Sequence, residues 1–188
     1  MTDGYLTNHF LVSMPQFMDD NFARTVTLIC QHDADGALGI VVNRLSAHTL
    51  GEIYQQLNIR VADHHSAAQP VFEGGPVHRE FGLVVHSLEP DRHWESTLRI
   101  SDGLALTSSR DILVDMARGS GPRESLMSLG YAGWGPGQLE QEILQNAWFS
   151  TPVERRILFD TRVEDKWNHA ASLIGMDLNK LTGQVGHA

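Results

Sequence analysis

Residues 25–42 have the sequence TVTLICQHDADGALGIVV, and this stretch decides the fold class. Its first part alternates as a β-strand does, with Val26, Leu28 and Cys30 on one face. Residues 33–36 form a short polar connection that ends in glycine, the residue that tight turns use for a positive φ. Residues 38–42 are apolar on both faces, which is typical of a strand covered on both sides. The stretch therefore predicts a β-hairpin inside a sheet.

Further strands and helices flank this hairpin on either side. Strand patterns cover residues 10–14, 71–73, 82–87, 96–100, 104–107 and 125–131. Helical spacing of apolar residues predicts four helices, which begin near Thr49, Ser108, Gly135 and Thr161. Residues 58–70 show no apolar period and are expected to form a loop. Because short turns join consecutive strands, we predict an α+β fold with a mostly antiparallel or mixed β-sheet core and about four flanking helices.

The length of the chain fits one domain. It contains 188 residues, and single domains usually hold about 100 to 200. No segment between the predicted elements is rich enough in proline, glycine or serine to separate two domains. We therefore expect residues 1–188 to form a single domain.

The charge balance argues against direct binding to nucleic acid. The chain has 23 acidic residues against 14 lysines and arginines, a net charge of −9 with neutral histidines. Affinity for DNA comes mostly from basic side chains that displace counterions from the phosphates. The same excess of acidic residues excludes a polybasic membrane-binding surface. We expect neither nucleic acid nor a membrane as a partner.

The cysteine content and the hydropathy pattern favour the cytoplasm. A single cysteine forms no internal disulfide and no cysteine zinc site, as is usual in a reducing compartment. No run approaches the roughly 18 apolar residues that span a bilayer. Residues 1–10 also lack the basic and apolar blocks of a secretory signal.

Two glycine clusters are the strongest local features of the sequence. Residues 72–77, FEGGPV, follow a predicted strand, whereas residues 129–140, LGYAGWGPGQLE, join a strand to a helix. The second cluster is compatible with an anion cradle, because glycines let backbone amides converge near a helix N-terminus. The alternative is that the glycines serve tight turns and close backbone packing. The candidate binding residues in and near the clusters are Asn43, Arg44, Gly74, Gly75, Pro76, Gly133, Trp134, Gly135 and Gln138.

Arg44 and Trp134 each allow two interpretations. The guanidinium of Arg44 is suited to holding an anion at the glycine turns, or else it pairs with a carboxylate at a strand end. Trp134 lies between glycines in an expected loop with little local shielding. Its side chain either packs in the core, as buried tryptophans usually do, or forms a pocket wall or an interaction patch.

The remaining patterns do not predict a catalytic centre. The ten histidines show no ligand spacing such as His-Glu-x-x-His, so we expect no metal site and no cofactor. There is no Gly-x-Ser-x-Gly elbow, and we predict no catalytic residues. Cys30 is expected to be a buried small hydrophobe, with a reactive thiol near His32 as the alternative.

Over nearly its whole length, the sequence resembles the YqgE/AlgH family of conserved bacterial proteins. The segments that carry the resemblance are GALG at 36–39 with Asn43-Arg44, GGPV at 74–77, LTSS at 106–109, GSGP at 119–122, LGYAGW at 129–134, GQLE at 137–140 and NAW at 146–148. Leu45 stands where the family usually has proline. The resemblance implies a single α+β fold with no established catalytic residues or cofactor. The AlgH branch is often described as a transcriptional regulator.

Together these features predict a non-enzymatic binding or regulatory protein. We expect it to act through an unknown protein or small-molecule partner, without direct contact to DNA. The alternative is an enzyme that acts on a small anionic or nucleotide-like substrate at the glycine-rich loops, near Asn43, Arg44 and His78.

Overall fold

A computed structural model describes residues 4–14 and 22–175 of the chain. These residues contain ten β-strands and six α-helices, numbered below in chain order, which confirms the predicted α+β class. The backbone divides into two compact units, Met1–Asn43 with Gly133–Ala188 and Arg44–Ala132. The single domain expected over residues 1–188 stays a prediction. None of the helices in the described ranges is long and apolar enough to cross a membrane.

The first unit is built on four of the described strands. They are β1 (His9–Ser13), β2 (Val26–Asp33), β3 (Gly36–Val41) and β10 (Trp148–Pro152), in the spatial order β10-β1-β2-β3. All three neighbouring pairs are antiparallel. Strands β2 and β3 are the predicted hairpin, in which Asp33 pairs with Gly36. Buried apolar side chains such as Phe10, Leu28 and Ile40 form its core.

The helices of the first unit are α4 (Gln138–Leu144), α5 (Arg155–Phe159) and α6 (Lys166–Leu173). The prediction that a capping box at Thr161 starts the last helix is wrong. Thr161 Oγ1 donates instead to the Arg156 carbonyl, and a 3₁₀ turn at Val163–Asp165 precedes α6. Lys166, the first residue of α6, donates from Nζ to the carbonyls of Val42 and Leu158 at 2.9 and 3.0 Å. A buried lysine therefore ties α6 to the unit.

The second unit contains β4 (Leu45–Thr49), β5 (Pro70–Glu73), β6 (Val77–Ser87), β7 (Thr97–Ser101), β8 (Leu104–Thr107) and most of β9 (Ser125–Trp134). Strand β6 lies between β8 and β9 and is antiparallel to both. Strand β7 pairs with β8 in the antiparallel sense, whereas β5 is antiparallel to β4 and parallel to β9. This pattern confirms the prediction of a mostly antiparallel sheet with a mixed part.

The helices of the second unit are α1 (Leu50–Gln56), α2 (His64–Ala67) and α3 (Arg110–Arg118). Thr49 caps α1 as predicted, since its hydroxyl accepts from the Glu52 amide at 3.4 Å. Helix α2 corrects the expected loop over residues 58–70. It begins after Asp63, whose carboxylate accepts from the His65 amide at 3.0 Å. Helices α2 and α5 were not predicted because four and five residues are too few to show an apolar period.

Candidate functional site

The Gly74-Gly75 turn lies directly on the backbone of β9. The Gly74 amide donates to the Leu129 carbonyl at 2.8 Å. A Cβ at Gly74 would overlap Ser128 Oγ and the Gly130 carbonyl oxygen, and one at Gly75 would overlap the Tyr131 carbonyl group. This close approach is possible only for glycine, because any side chain would meet backbone that cannot rotate away. The geometry favours the packing interpretation of this cluster over an open anion cradle.

Arg44 and Pro76 both lie in the second unit. Pro76 directly follows the turn in the chain, and Arg44 pairs with Glu73, the residue before the turn. The carbonyl of Arg44 accepts from the Glu73 amide at 2.9 Å, where β4 meets β5. Asn43 belongs to the first unit and supports its backbone. Its side-chain oxygen accepts from the Val26 amide at 2.9 Å, and its nitrogen donates to the Arg24 carbonyl at 3.0 Å.

The second glycine cluster places Trp134 in the core of the first unit. Trp134 is the last residue of β9 rather than part of a loop, and it is only 6% exposed. Its ring lies 6.4 Å from that of Trp148 and 6.3 Å from that of Phe22. The expectation that this side chain has little shielding is therefore wrong. The Gly135 amide is also occupied, since it donates to Gln138 Oε1 at 3.0 Å.

A shallow depression of about 280 Å³ lies beside Trp134, in the first unit. It is lined by Gln31, Asp33, Asp35, Gly36, Ala37, Leu38 and Trp134. Two carboxylates and no cationic side chain face it, which disfavours an anion at this place.

Of the nine candidate residues, Asn43, Gly133, Trp134, Gly135 and Gln138 lie in the first unit, and Arg44, Gly74, Gly75 and Pro76 in the second.

A cavity of about 490 Å³ in the second unit includes none of the nine candidates. We call it the second-unit cavity. Its apolar lining residues are Ile53, Leu57, Phe81, Val84, Leu113, Met127 and Leu129. Phe81 and Leu57 are 51% and 41% exposed, so they flank the mouth, whereas the other side chains are mostly buried. Sequence reasoning missed the cavity because its walls come from α1, β6, α3 and β9, which are far apart in the chain.

The polar lining of the second-unit cavity contains more cationic than anionic groups. It consists of His48, Gln56, Arg79, Glu80, Thr107, Ser108, Ser109 and Arg110. Arg110 donates from Nη2 to the Leu57 carbonyl at 3.0 Å. Glu80 lies 3.6 Å from Nδ1 of His78, which is outside the lining. Arg79 is exposed and makes no ion pair within residues 4–14 and 22–175.

A bulge in β6 shapes the rim that carries Arg79 and Phe81. Val77 pairs with Tyr131 and Gly82 with Leu129, so residues 78–81 lie opposite Gly130 alone. Gly130 has φ +75°, and a Cβ there would lie 2.6 Å from the Gly75 carbonyl oxygen and 3.3 Å from the Arg79 Cα. The missing side chain at Gly130 therefore lets both the Gly74-Gly75 turn and the bulge pack on β9. The two glycine clusters thus support the rim of the second-unit cavity.

A buried histidine lies behind the cavity wall. His86 is fully buried, and its Nδ1 lies 2.9 Å from the Ser87 carbonyl, to which it donates. Its Nε2 lies 2.7 Å from Thr107 Oγ1, and burial lowers the pKa of His86. In the neutral ring Nε2 therefore accepts a hydrogen bond from the Thr107 hydroxyl. Thr107 is itself fully buried, and its bond to His86 joins β8 to β6 in the cavity wall.

A second histidine pair lies in the first unit. His32 Nδ1 accepts from the Leu6 amide at 2.9 Å, so Nε2 carries the proton and donates to Glu140 Oε1 at 2.7 Å. The backbone amide of Glu140 and this bond hold the pKa of its carboxyl below the ordinary value.

Cys30 is 1% exposed, which confirms its predicted burial, and burial raises the pKa of its thiol. Within the described ranges, no three His, Cys, Asp or Glu residues are grouped to hold a metal ion.

Comparisons with known proteins identify close relatives over the whole chain. Residues 10–179 match a protein family described as AlgH-like. A UPF0301 protein of Nitrosococcus oceani is 48% identical over 98% of this chain and 97% of its own length. A UPF0301 protein of Methylococcus capsulatus is 50% identical over 97% of this chain and 96% of its own.

Two solved structures share the fold. The solution structure of the AlgH protein from Pseudomonas aeruginosa is 41% identical, with a TM-score of 0.80 and coverage of 100% of this chain and 98% of that one. The crystal structure of a Corynebacterium diphtheriae protein has a TM-score of 0.74 and covers 92% of this chain and 89% of that one. At 20% identity, this second likeness bears on the fold alone.

Proposed function

The chain belongs to the AlgH-like family, and on that premise we propose that it is a non-enzymatic binding protein whose ligand site is the second-unit cavity. The observation that supports this most is the cavity itself. Its volume of about 490 Å³ is within the range of roughly 300–1,000 Å³ that small-molecule sites occupy. Its lining combines buried apolar side chains such as Ile53, Leu113 and Met127 with polar groups that can orient a ligand, as such sites require.

Two half-exposed apolar side chains at the mouth favour this function. Phe81 and Leu57 keep 51% and 41% of their surface in water, although apolar residues surround them. A ligand that covers both would remove this apolar surface from water, and area burial of this kind is the main source of binding free energy.

The alternative of an enzyme at the glycine-rich loops has less support. The Gly74 amide is used in backbone pairing, and the Gly135 amide is bound to the Gln138 side chain. Neither amide is directed at an empty site. Asp33 and Asp35 beside Trp134 would in addition repel an anionic substrate.

We propose that the protein works in the cytoplasm and that any effect on transcription passes through a bound ligand or a partner protein. A net charge of −9 supports this, because direct DNA binding needs a surplus of basic side chains. A mobility-shift experiment at physiological salt is expected to show no sequence-specific DNA complex. A tight specific complex would contradict this part of the proposal.

The test of the cavity uses the fluorescent apolar dye 8-anilinonaphthalene-1-sulfonate on the native protein. We expect the dye to bind with increased emission, and Phe81→Ser and Leu57→Ser to weaken binding about tenfold each through lost apolar contact. Leu144→Ser is the matched control, since Leu144 is 82% exposed and outside the cavity lining. Dye binding that the two mouth variants leave unchanged, or that Leu144→Ser weakens equally, would contradict the assignment of the site.

A further inference from the structure

We propose that the second-unit cavity takes a small amphipathic carboxylate, with its apolar body in the cavity and its carboxylate on Arg79. This inference rests on the proposed function, and it adds the chemical class of the ligand and the residue that selects it. The class is a monocarboxylate with an apolar body of about six to ten carbons, a size suited to pockets of this volume.

The first argument is the local charge. The chain as a whole carries −9, yet its cavity rim carries the two arginines Arg79 and Arg110 against one carboxylate, Glu80. Arg110 is anchored by its bond to the Leu57 carbonyl. Arg79 pairs with no carboxylate in the described part of the chain, although acidic residues outnumber basic ones by nine. Its guanidinium therefore remains available at the edge of an apolar cavity, where it complements an anionic group on an apolar ligand.

The second argument is the chemistry of the guanidinium group. Its planar fork of donors matches the two oxygens of a carboxylate and binds them in parallel. Arg79 is exposed in the free protein, but a ligand whose apolar body fills the cavity displaces water beside the guanidinium, which lowers the local dielectric constant and strengthens such a bond. Glu80 next to Arg79 in the chain disfavours a second negative charge, so a monoanion fits better than a phosphate dianion.

The third argument is the backbone that carries Arg79. Residues 78–81 bulge out of the β6–β9 ladder, and His78 adopts φ +45°, a conformation that non-glycine residues rarely take. Strained backbone of this kind persists where the surroundings hold it, and it is concentrated at functional sites. Here the absence of a side chain at Gly130 makes room for the backbone of Arg79, and the bulge places Arg79 and Phe81 together on the cavity lining. The rim thus supplies a cation and an apolar surface side by side.

The experiment measures affinity by isothermal titration calorimetry with hexanoate, octanoate and the neutral analogue octanol. We expect octanoate to bind more tightly than hexanoate by about fourfold per added CH₂, since each buried CH₂ contributes a constant increment. Octanoate is also expected to bind at least tenfold more tightly than octanol. Equal binding of octanoate and octanol would overturn the inference and leave the proposed function standing. If neither probe binds, the inference is overturned, and the dye experiment decides separately whether the proposed function stands.

Arg79→Gln tests the residue. We expect it to weaken octanoate binding about tenfold and to leave octanol binding unchanged, because only the carboxylate uses the guanidinium. The matched control is Arg99→Gln on β7, an exposed arginine that pairs with Asp102 and lies outside the lining. Equal losses in both variants would show a general charge effect and overturn the assignment to Arg79. An unchanged octanoate affinity in Arg79→Gln would overturn it as well.

Discussion

Replacing Gly130 by alanine tests whether the glycine clusters hold the cavity rim. Gly130 has φ +75°, and the added Cβ would lie 2.6 Å from the Gly75 carbonyl oxygen and 3.0 Å from that of Val77. Both neighbours are backbone atoms, so neither can rotate out of the way. The substitution must therefore displace the Gly74-Gly75 turn, the bulge of β6 or both.

The loss of unfolding free energy expected for Gly130→Ala has two parts. A left-handed backbone costs a residue with a Cβ about 1–2 kcal/mol. Forcing a carbon into a filled space costs about 1–3 kcal/mol more, as in other overpacked sites. Gly137→Ala separates the two parts, since Gly137 has nearly the same φ, +73°, but nothing lies within 4 Å of its Cβ. Gly137 is also the N-cap of α4, where alanine is less favourable than glycine, so the difference between the two variants is a lower limit on the steric part.

The assay is urea denaturation together with thermal unfolding of both variants. We expect Gly137→Ala to lose about 1–2 kcal/mol and Gly130→Ala about 2–5 kcal/mol of unfolding free energy. At roughly 3 °C per kcal/mol for a chain of this size, the Tm values should differ by about 6 °C. Binding of the fluorescent dye should fall only in Gly130→Ala. Equal stability losses would refute the steric argument, and full dye binding in Gly130→Ala would refute the link between the glycines and the cavity.

Three further predictions concern buried or paired groups. Burial lowers the pKa of Lys166 from 10.5 to about 8, so the unfolded chain holds more protons between these values, and stability should rise there with pH. Urea denaturation should show that the unfolding free energy of wild type, relative to that of Lys166→Met, rises by up to about 3 kcal/mol between pH 8 and pH 10.5. A difference that stays constant over this pH range would contradict this. The pKa of Glu140 lies below its ordinary 4.5, so its stabilising effect is present above pH 4.5 and lost as the pH falls through the lowered value. Glu140→Gln should therefore flatten the fall of Tm in acid, and an unaltered acid profile would count against the His32 pairing. Cys30 should react with a thiol reagent only after unfolding, because its thiol is buried and its pKa is raised, and stoichiometric labelling of the native protein would disprove this.

The elements that could be predicted are those whose signal is local. The hairpin of β2 and β3 follows from side-chain alternation and a glycine turn within residues 25–42, and Thr49 caps α1 through a bond to a residue three positions away. Strands β4 and β10 were not predicted. Residues Leu45–Thr49 form a short, largely exposed segment whose only large apolar side chain is Leu45, and pairing with β5 makes them a strand. Such pairing depends on a partner that the local sequence does not reveal.

Trp134 shows the same limit for the candidate site. Its glycine neighbours suggested an exposed loop, but Trp148 and Phe22 come from other parts of the chain and cover its ring. How far a side chain is buried depends on all the residues that pack against it, including those distant in the chain. The flanking residues alone therefore predicted the wrong environment.

The amino-acid sequence by itself determined the α+β class, the central hairpin and the net charge of −9, because each depends on composition or on neighbours in the chain. Its resemblance to known proteins also determined the family. The second-unit cavity was decided only by the tertiary structure. A cavity is the space left between packed elements, and this one exists because Ile53, Leu113 and Met127 meet across sequence separations of up to 74 residues without filling it. The glycines were visible in the sequence, but the atoms that they must avoid were not.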